Sequence, residues 1–373
     1  MIGYVCILLI IVGGGLIFPN LNTNKKSRKL YMILVFGLVL LYAVLRGESV
    51  GIDNASRYAT VRMIAGFDWD SFVQYLSNRN DEQGYSLIIW IITRIIPSPH
   101  FIGVLWDVFI ILTFAYFFYQ YSEDLVVTSL MYTAFVFAAE MNVTRQYIAA
   151  ALFLWAVISI LKKKYILSII FILIAMTFHT SALVLFILFI LIPLKFQLTR
   201  KAFTITILAA VIGFNAFDVI ANLFVNYFPQ YSWYLRGSWA VGDRDFSVFW
   251  LGIYFILALL AMHCLPSRSK TVATETVAVN EKYRMQSIVT FFFAIYATTS
   301  LLTSKVWFVS RMNVYFIFAY CMIVSIVINH LPFLTKRYVR ILRGFFIIGL
   351  CTWGILMFQQ NAHRILPYEF FWQ

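Results

Sequence analysis

Charge is the first thing this sequence lacks. Only 12% of its residues are Asp, Glu, Lys or Arg, whereas 62% are hydrophobic and 18% aromatic. A soluble domain of that make-up has too little polar surface to cover its core. Cysteine is scarce too: Cys6, Cys264, Cys321 and Cys351 lie in or at the ends of apolar runs, without C-x-x-C spacing. That excludes a disulfide framework and a cysteine metal site, and leaves four small buried apolar residues. No Walker loop, no G-x-G-x-x-G and no H-E-x-x-H occurs. ATP-driven transport, dinucleotide chemistry and zinc proteolysis have no support, and no cofactor, metal or nucleic acid is expected.

Long apolar runs are abundant. Stretches near twenty residues recur along the whole chain, each long enough to cross a hydrocarbon layer of roughly 30 Å. Barrel-like alternation is missing, so the reading is all-α: a polytopic integral membrane protein in the lipid bilayer. The first run, 2–19, ends in FPNLNTNKK without a small-residue cleavage site and reads as a retained span.

Lys/Arg clusters mark cytoplasmic loops. Five stand out: 25–29, 162–164, 195–201, 268–284 and 336–343. Neighbouring clusters must be separated by an even number of crossings, which decides two ambiguous stretches. The thirty apolar residues between Lys164 and Lys195 become a hairpin of two short spans with its tip near Phe178-His179-Thr180-Ser181. The short run GYSLIIWIITRI, which carries Arg94, becomes an amphipathic helix in the outer interface.

About twelve spans result, with both termini outside: 2–19, 30–46, 100–120, 126–141, 146–161, 165–178, 180–194, 202–220, 247–265, 286–304, 311–330 and 343–358. Residues 1–373 read as one transmembrane domain, with outer loops at 47–99 and 221–246 and a cytoplasmic loop at 266–285. On this map the inner segments hold eleven Lys and seven Arg against four acids, whereas the outer ones hold ten Arg and one Lys against eleven acids. Lys suffices for a positive inner face. Arg adds a planar fork for phosphate or carboxylate.

Polar constellations crowd the outer side. In LRGESVGIDNASRY, Arg46 stands at the membrane boundary, Gly51 permits a tight turn, and Asp53, Arg57 and Tyr58 can share one helix face; Asp53 as a plain N-cap is the structural alternative. In NRNDEQGY, Arg79, Asp81 and Glu82 suit a solvated turn, yet Glu82 and Tyr85 also suit acid–base work or sugar contact. In AAEMNVTRQYIAAA, Arg145 and Gln146 open a helix whose N-terminal dipole favours an anion, and an Arg145–Glu140 pair closing the turn is the alternative. In TFHTSA, His179 is the side chain best suited to proton transfer near neutral pH, although a lone buried His is more often structural. Arg236, Asp243 and Arg244 lie in the second outer loop among Tyr227, Tyr231, Trp233, Tyr234 and Trp239, and Arg311 opens the eleventh span.

Together these residues resemble the EpsG family of exopolysaccharide polymerases, relatives of the Wzy-type polymerases. The similar features are R-x4-G-x-D at Arg46, Gly51 and Asp53, and E-x-G-Y at Glu82, Gly84 and Tyr85. RQ-x-x-A at Arg145, Gln146 and Ala149, FH-x-S-A at Phe178, His179, Ser181 and Ala182, and R-x3-Y at Arg311 and Tyr315 follow in the family's order. Ile52 departs mildly, standing where a small residue is usual.

The resemblance implies a multispan lipid-sugar glycosyltransferase architecture. It implies joining of polyprenyl-diphosphate-linked oligosaccharides, as donor and acceptor, on the outer face of a bacterial inner membrane, alongside other polysaccharide-assembly proteins. Arg46, Arg145 and Arg311 are then expected at the diphosphate. Asp53, His179 and Glu82, in that order, are candidates for the base. Tyr58, Tyr85, Gln146, Arg236 and Arg244 are expected in sugar contact or support. A glycan ligase and a polyprenyl-phosphate-sugar transferase share the donor chemistry. A lipid-oligosaccharide flippase is the non-enzyme rival, and it would want polar residues through the bundle's depth.

Overall fold

The computed structural model describes residues 1–18, 20–21, 23–78, 82–192, 200–227, 232, 248–264, 277–303, 309–331 and 335–373. Among them the regular structure is helical, and a single isolated bridge joins Arg46 and Phe370. Six helices are long and apolar enough to cross a membrane, and several shorter ones are apolar too. The protein is a multi-pass, all-α membrane protein. The described residues fall into two compact units, Met1–Phe186 with Lys336–Gln373, and Ile187–Thr335.

The first unit carries α1 (Ile2–Ile17), α2 (Lys25–Val44), α3 (Asn54–Ala65), α4 (Trp69–Ser77) and α5 (Gln83–Thr93). It continues with α6 (Pro99–Tyr121), α7 (Leu125–Phe135), α8 (Phe137–Glu140), α9 (Thr144–Leu161) and α10 (Tyr165–Phe178). Side-chain caps set several starts. Asn24 accepts from Lys26 and Ser27 N–H, Asp124 from Val126 and Val127 N–H, and Ser98 from Phe101 N–H ahead of Pro99 in the first turn.

Two of the expected limits shift for local reasons. The span read as 30–46 starts at Lys25, inside the basic cluster, because Asn24 caps it there. The span read as 126–141 is broken at Val136 into α7 and α8. The loop 47–99 folds as three short helices, of which α5 corresponds to the amphipathic helix. Arg94 ends α5 by donating to Ala65 O at 2.6 Å, satisfying the end of α3.

Charged contacts define the two ends of this unit. At one end Arg28 of α2 donates to Phe118, Tyr119 and Ser122 carbonyls, completing the C-terminus of α6. Arg343 pairs there with Asp124 at the start of α7. At the opposite end Arg46, just beyond α2, meets Asp107 near the start of α6. The basic residues at 25–29 and 336–343 therefore share one end, and the polar constellations gather at the other. Between the ends α9 is the central post, with Ala149, Ala150 and Ala151 at most 1% exposed. Such small side chains let α6 and α10 approach closely where lipid offers no hydrophobic drive between helices.

After Phe178 the chain breaks at His179, which is extended, and resumes as a 3-10 helix, Thr180–Leu191. A twelve-residue 3-10 run reaches about 24 Å, against about 18 Å for an α-helix. The helix α16 (Lys336–Gln360) closes the first unit against α7 and α1.

The second unit holds α11 (Arg200–Asn215), α12 (Phe217–Tyr227), α13 (Val248–Cys264), α14 (Val277–Thr303) and α15 (Ser310–His330). The last two are antiparallel. Asn313 bonds Thr299 and Ser300 near one end, Gln286 meets His330 at 2.9 Å near the other, and Phe292 stacks on Phe316 between them. Tyr254 of α13 packs edge-on against Tyr296 and Tyr320, which stack on each other at 4.9 Å.

Candidate functional site

The loop between α2 and α3 is shaped from both sides. Gly51 has φ +107°, a conformation L side chains rarely adopt, and a Cβ there would fall 2.7 Å from Asn142 Oδ1. The segment after α16 straps the loop down. Gly47 N–H donates to Glu369 O (2.8 Å), Gly51 N–H to Arg364 O (2.9 Å), Ile52 N–H to His363 O (3.2 Å), and Phe371 N–H to Leu45 O (3.0 Å). Asn54 Nδ2 donates to Gly47 O, and Asn142 Nδ2 to His363 O. Ile52, the residue that departs from the family pattern, is 51% exposed, so its bulk displaces nothing.

Arg46 points inward. It is 2% exposed and forms a bidentate pair with Asp107, Nη1–Oδ2 2.5 Å and Nη2–Oδ1 3.0 Å, with Ala43 O as a further acceptor. Asp107, the one acid expected deep in a span, is thus the partner that makes Arg46 tolerable there. Asp53 sits at the N-cap position of α3 but makes no side-chain cap. Its side chain is exposed, so the residue holds the cap position without the capping bond. Tyr58 is buried and meets His100 Nδ1 through its hydroxyl at 3.1 Å.

A second cluster forms where α5, α9 and α10 meet. Glu82, in the left-handed region with φ 60° at the start of α5, pairs with Arg145. Its other oxygen lies 3.9 Å from His179 Nε2. Gln146 Nε2, an amide donor, faces His179 Nε2 at 3.0 Å, and Ser181 Oγ lies 2.8 Å from His179 Nδ1. The E-x-G-Y motif now has a physical reason. A Cβ on Gly84 would lie 2.6 Å from Thr177 Cβ and 3.2 Å from its carbonyl, so only glycine lets α5 rest on α10. Tyr85 is then buried under the Arg145 guanidinium, 5.7 Å from ring centre, and stacked on Trp106. Burial pushes the Tyr85 phenol up to about 12, so it stays a neutral donor at neutral pH.

The alternative Arg145–Glu140 turn does not form. Arg145 reaches Glu82 across the chain instead, and Glu140 is buried with its carboxylate on the Tyr132 hydroxyl. Five expected site residues therefore share one cluster: Glu82, Tyr85, Arg145, Gln146 and His179. Arg46, Asp53 and Tyr58 belong to the strapped loop and α3. Arg311 belongs to the second unit, exposed in the first turn of α15. Arg79, Asp81, Arg236, Asp243, Arg244, Tyr231, Trp233, Tyr234 and Trp239 lie outside the described residues.

Several contributors carry no motif. Thr144 and Asn54 hold Arg57, and His363 lies close enough to Asp53 to feel its charge. The Asn142 and Thr144 pair flanking Val143 was a legible polar signal, whereas nothing in the sequence pairs residues 361–373 with residues 45–54.

Neither the curated proteins nor the solved structures contain a match to this chain. The sequence model of the EpsG family matches residues 6–370, nearly the whole length, and supports a function of the polysaccharide-polymerase kind. The chain belongs to the EpsG family.

Proposed function

We propose that this protein joins polyprenyl-diphosphate-linked oligosaccharide repeats, such as undecaprenyl-linked units of an exopolysaccharide or capsule, into longer chains. In this reading it crosses a bacterial inner membrane about twelve times. Both clusters then face the extracytoplasmic side, with α5 in the interface. The observation that carries the reading is the Glu82–Arg145–His179 cluster within an EpsG-family chain.

The chemistry asks for a cation at the leaving diphosphate and a base at the acceptor hydroxyl. The hydroxyl oxygen bonds to the anomeric carbon as the bond from that carbon to the diphosphate oxygen breaks. The electron pair stays on the lipid diphosphate, and the hydroxyl proton goes to a carboxylate. Arg145, whose side chain is 45% exposed, is placed to meet the diphosphate. An arriving phosphate competes with Glu82 for the same fork, so binding frees a carboxylate beside His179. Asp53, exposed and without a side-chain cap to hold it, is the other base candidate. Arg46, sealed against Asp107, fixes the loop that carries Asp53. Gln146 orients His179, and Tyr85 and Tyr58 support the arginine-lined floor.

Reconstitution of the full chain in liposomes with a lipid-linked repeat unit tests the reading. A ladder of products is expected, and a single addition would indicate a ligase. Arg145→Ala should abolish the ladder. Arg145→Lys should cut it about tenfold, since a point charge loses the fork and hydrogen bonds to charged groups are worth about 1.5–3 kcal/mol. Wild-type extension by Arg145→Ala would sink the assignment.

A further inference from the structure

Two of the three arginines expected at the phosphate already have carboxylates: Arg46 is closed by Asp107, and Arg145 by Glu82. A third guanidinium, on Arg57 of α3, has none within ion-pair distance among the described residues. Its hydrogen bonds go to neutral oxygens, Nη1 to Thr144 Oγ1 at 2.8 Å and Nη2 to Asn54 Oδ1. Its Nε–H is buried with no acceptor among the described residues. Five N–H donors with two in use leave three unspent, on a side chain that is half-buried. Burial and the neighbouring Arg46 charge push Arg57 below its ordinary value, against the opposing pull of Asp107, so its charge is held at a cost. A guanidinium remains protonated at neutral pH regardless.

The surroundings keep the fork in place. Asn54 and Thr144 fix it from α3 and α9, and Gly103 of α6 leaves room, since a Cβ there would sit 3.2 Å from Arg57 Nη2. The helix α9 opens at Thr144 with Val143 in the cap position and no side-chain cap, so the positive end of an eighteen-residue helix adjoins the same fork. Thr144, which holds Arg57, is also the chain neighbour of Arg145.

We propose that Arg57 is a phosphate seat: a pre-oriented cation, with no ion pair of its own among the described residues, that takes one phosphate of the lipid-linked diphosphate while Arg145 meets the other. This deepens the polymerase reading and rests on it for the donor's identity, but the binding chemistry is that of any diphosphate. A free diphosphate and a prenyl diphosphate differ in affinity only through the tail.

The test is direct binding to the purified full chain in detergent. The probes are inorganic diphosphate and farnesyl diphosphate, titrated against wild type, Arg57→Gln, Arg57→Lys and the exposed control Arg62→Gln. Wild type and Arg62→Gln should bind both probes, with affinity falling as salt rises. Arg57→Gln should weaken both at least tenfold, and Arg57→Lys should recover part of the loss. Tighter farnesyl diphosphate binding would identify the lipid headgroup as the source, and equal binding would identify the phosphate alone; either supports the seat. Should Arg57→Gln fail to fold, Arg57→Lys alone decides, because it keeps the charge and loses the fork. Equal binding by wild type and a folded Arg57 variant overturns the proposal, as does wild type that binds neither probe. Ladder formation is scored separately. A chain that binds through Arg57 yet makes no ladder refutes the polymerase reading alone, and a ladder unaffected by Arg57→Gln with unchanged binding refutes the seat alone.

Discussion

Cutting the Arg46–Asp107 pair should destabilise the protein in two different ways, depending on which partner is lost. The side chains are 2% and 5% exposed, so neither charge can be rescued by water. Leaving one buried partner alone costs about 3–5 kcal/mol. In Arg46→Ala the remaining carboxylate has an exit, because it can bind a proton. In Asp107→Asn the guanidinium has no such exit and the loss is flat in pH. Arg46→Met with Asp107→Leu removes both charges and should come within about 1–2 kcal/mol of wild type. The coupling between the two sites, the two single losses less the double loss, is then about 4–9 kcal/mol. Denaturant unfolding in mixed micelles between pH 5 and 8, followed by tryptophan fluorescence, measures all four proteins. If the double variant loses the sum of the single losses, or if both single variants share one pH dependence, the pair is not the closed unit described.

Two further outcomes follow from the same geometry. Gly84→Ala must push α5 off α10 at Thr177; overpacking of this kind costs about 1–3 kcal/mol. It should also depress chain extension by moving Glu82 and Tyr85, and unchanged stability and ladder length would show that the contact is looser. His363 is held below its ordinary value by burial, against the opposing pull of Asp53, so it is neutral in the folded strap. That contribution is present above the unfolded value, about 6.5, and is lost as pH falls through the folded value. His363→Asn should therefore flatten the loss of melting temperature between pH 7 and 5, and an unaltered acid limb would refute the role.

The sequence was informative wherever one physical rule acted alone. Apolar length located the long helices, and basic clusters sorted the ends of the first unit, since Arg28 and Arg343 meet their partners at the same end. The break at His179 followed from parity. Partners chosen across the chain were illegible: Arg145 has Glu140 five residues before it, yet takes Glu82, 63 residues before it. The reason is geometric, because α8 turns Glu140 inward onto Tyr132 while Gly84 seats the start of α5 on α10, where Glu82 meets Arg145. Arg57 was visible as a face-mate of Asp53 but not as an unpaired charge, since that property depends on where every neighbouring acid goes.

The strap over the Arg46–Asp53 loop has a consequence for timing. Ser49 bonds Glu369 and Tyr368 bonds Tyr42 O, partners 320 and 326 residues apart. A ribosome adding about 5–20 residues per second needs tens of seconds to cover that distance. Throughout that interval the loop lacks the segment that straps it. The loop therefore takes its strapped form only after α16 and residues 361–373 have been made and have docked.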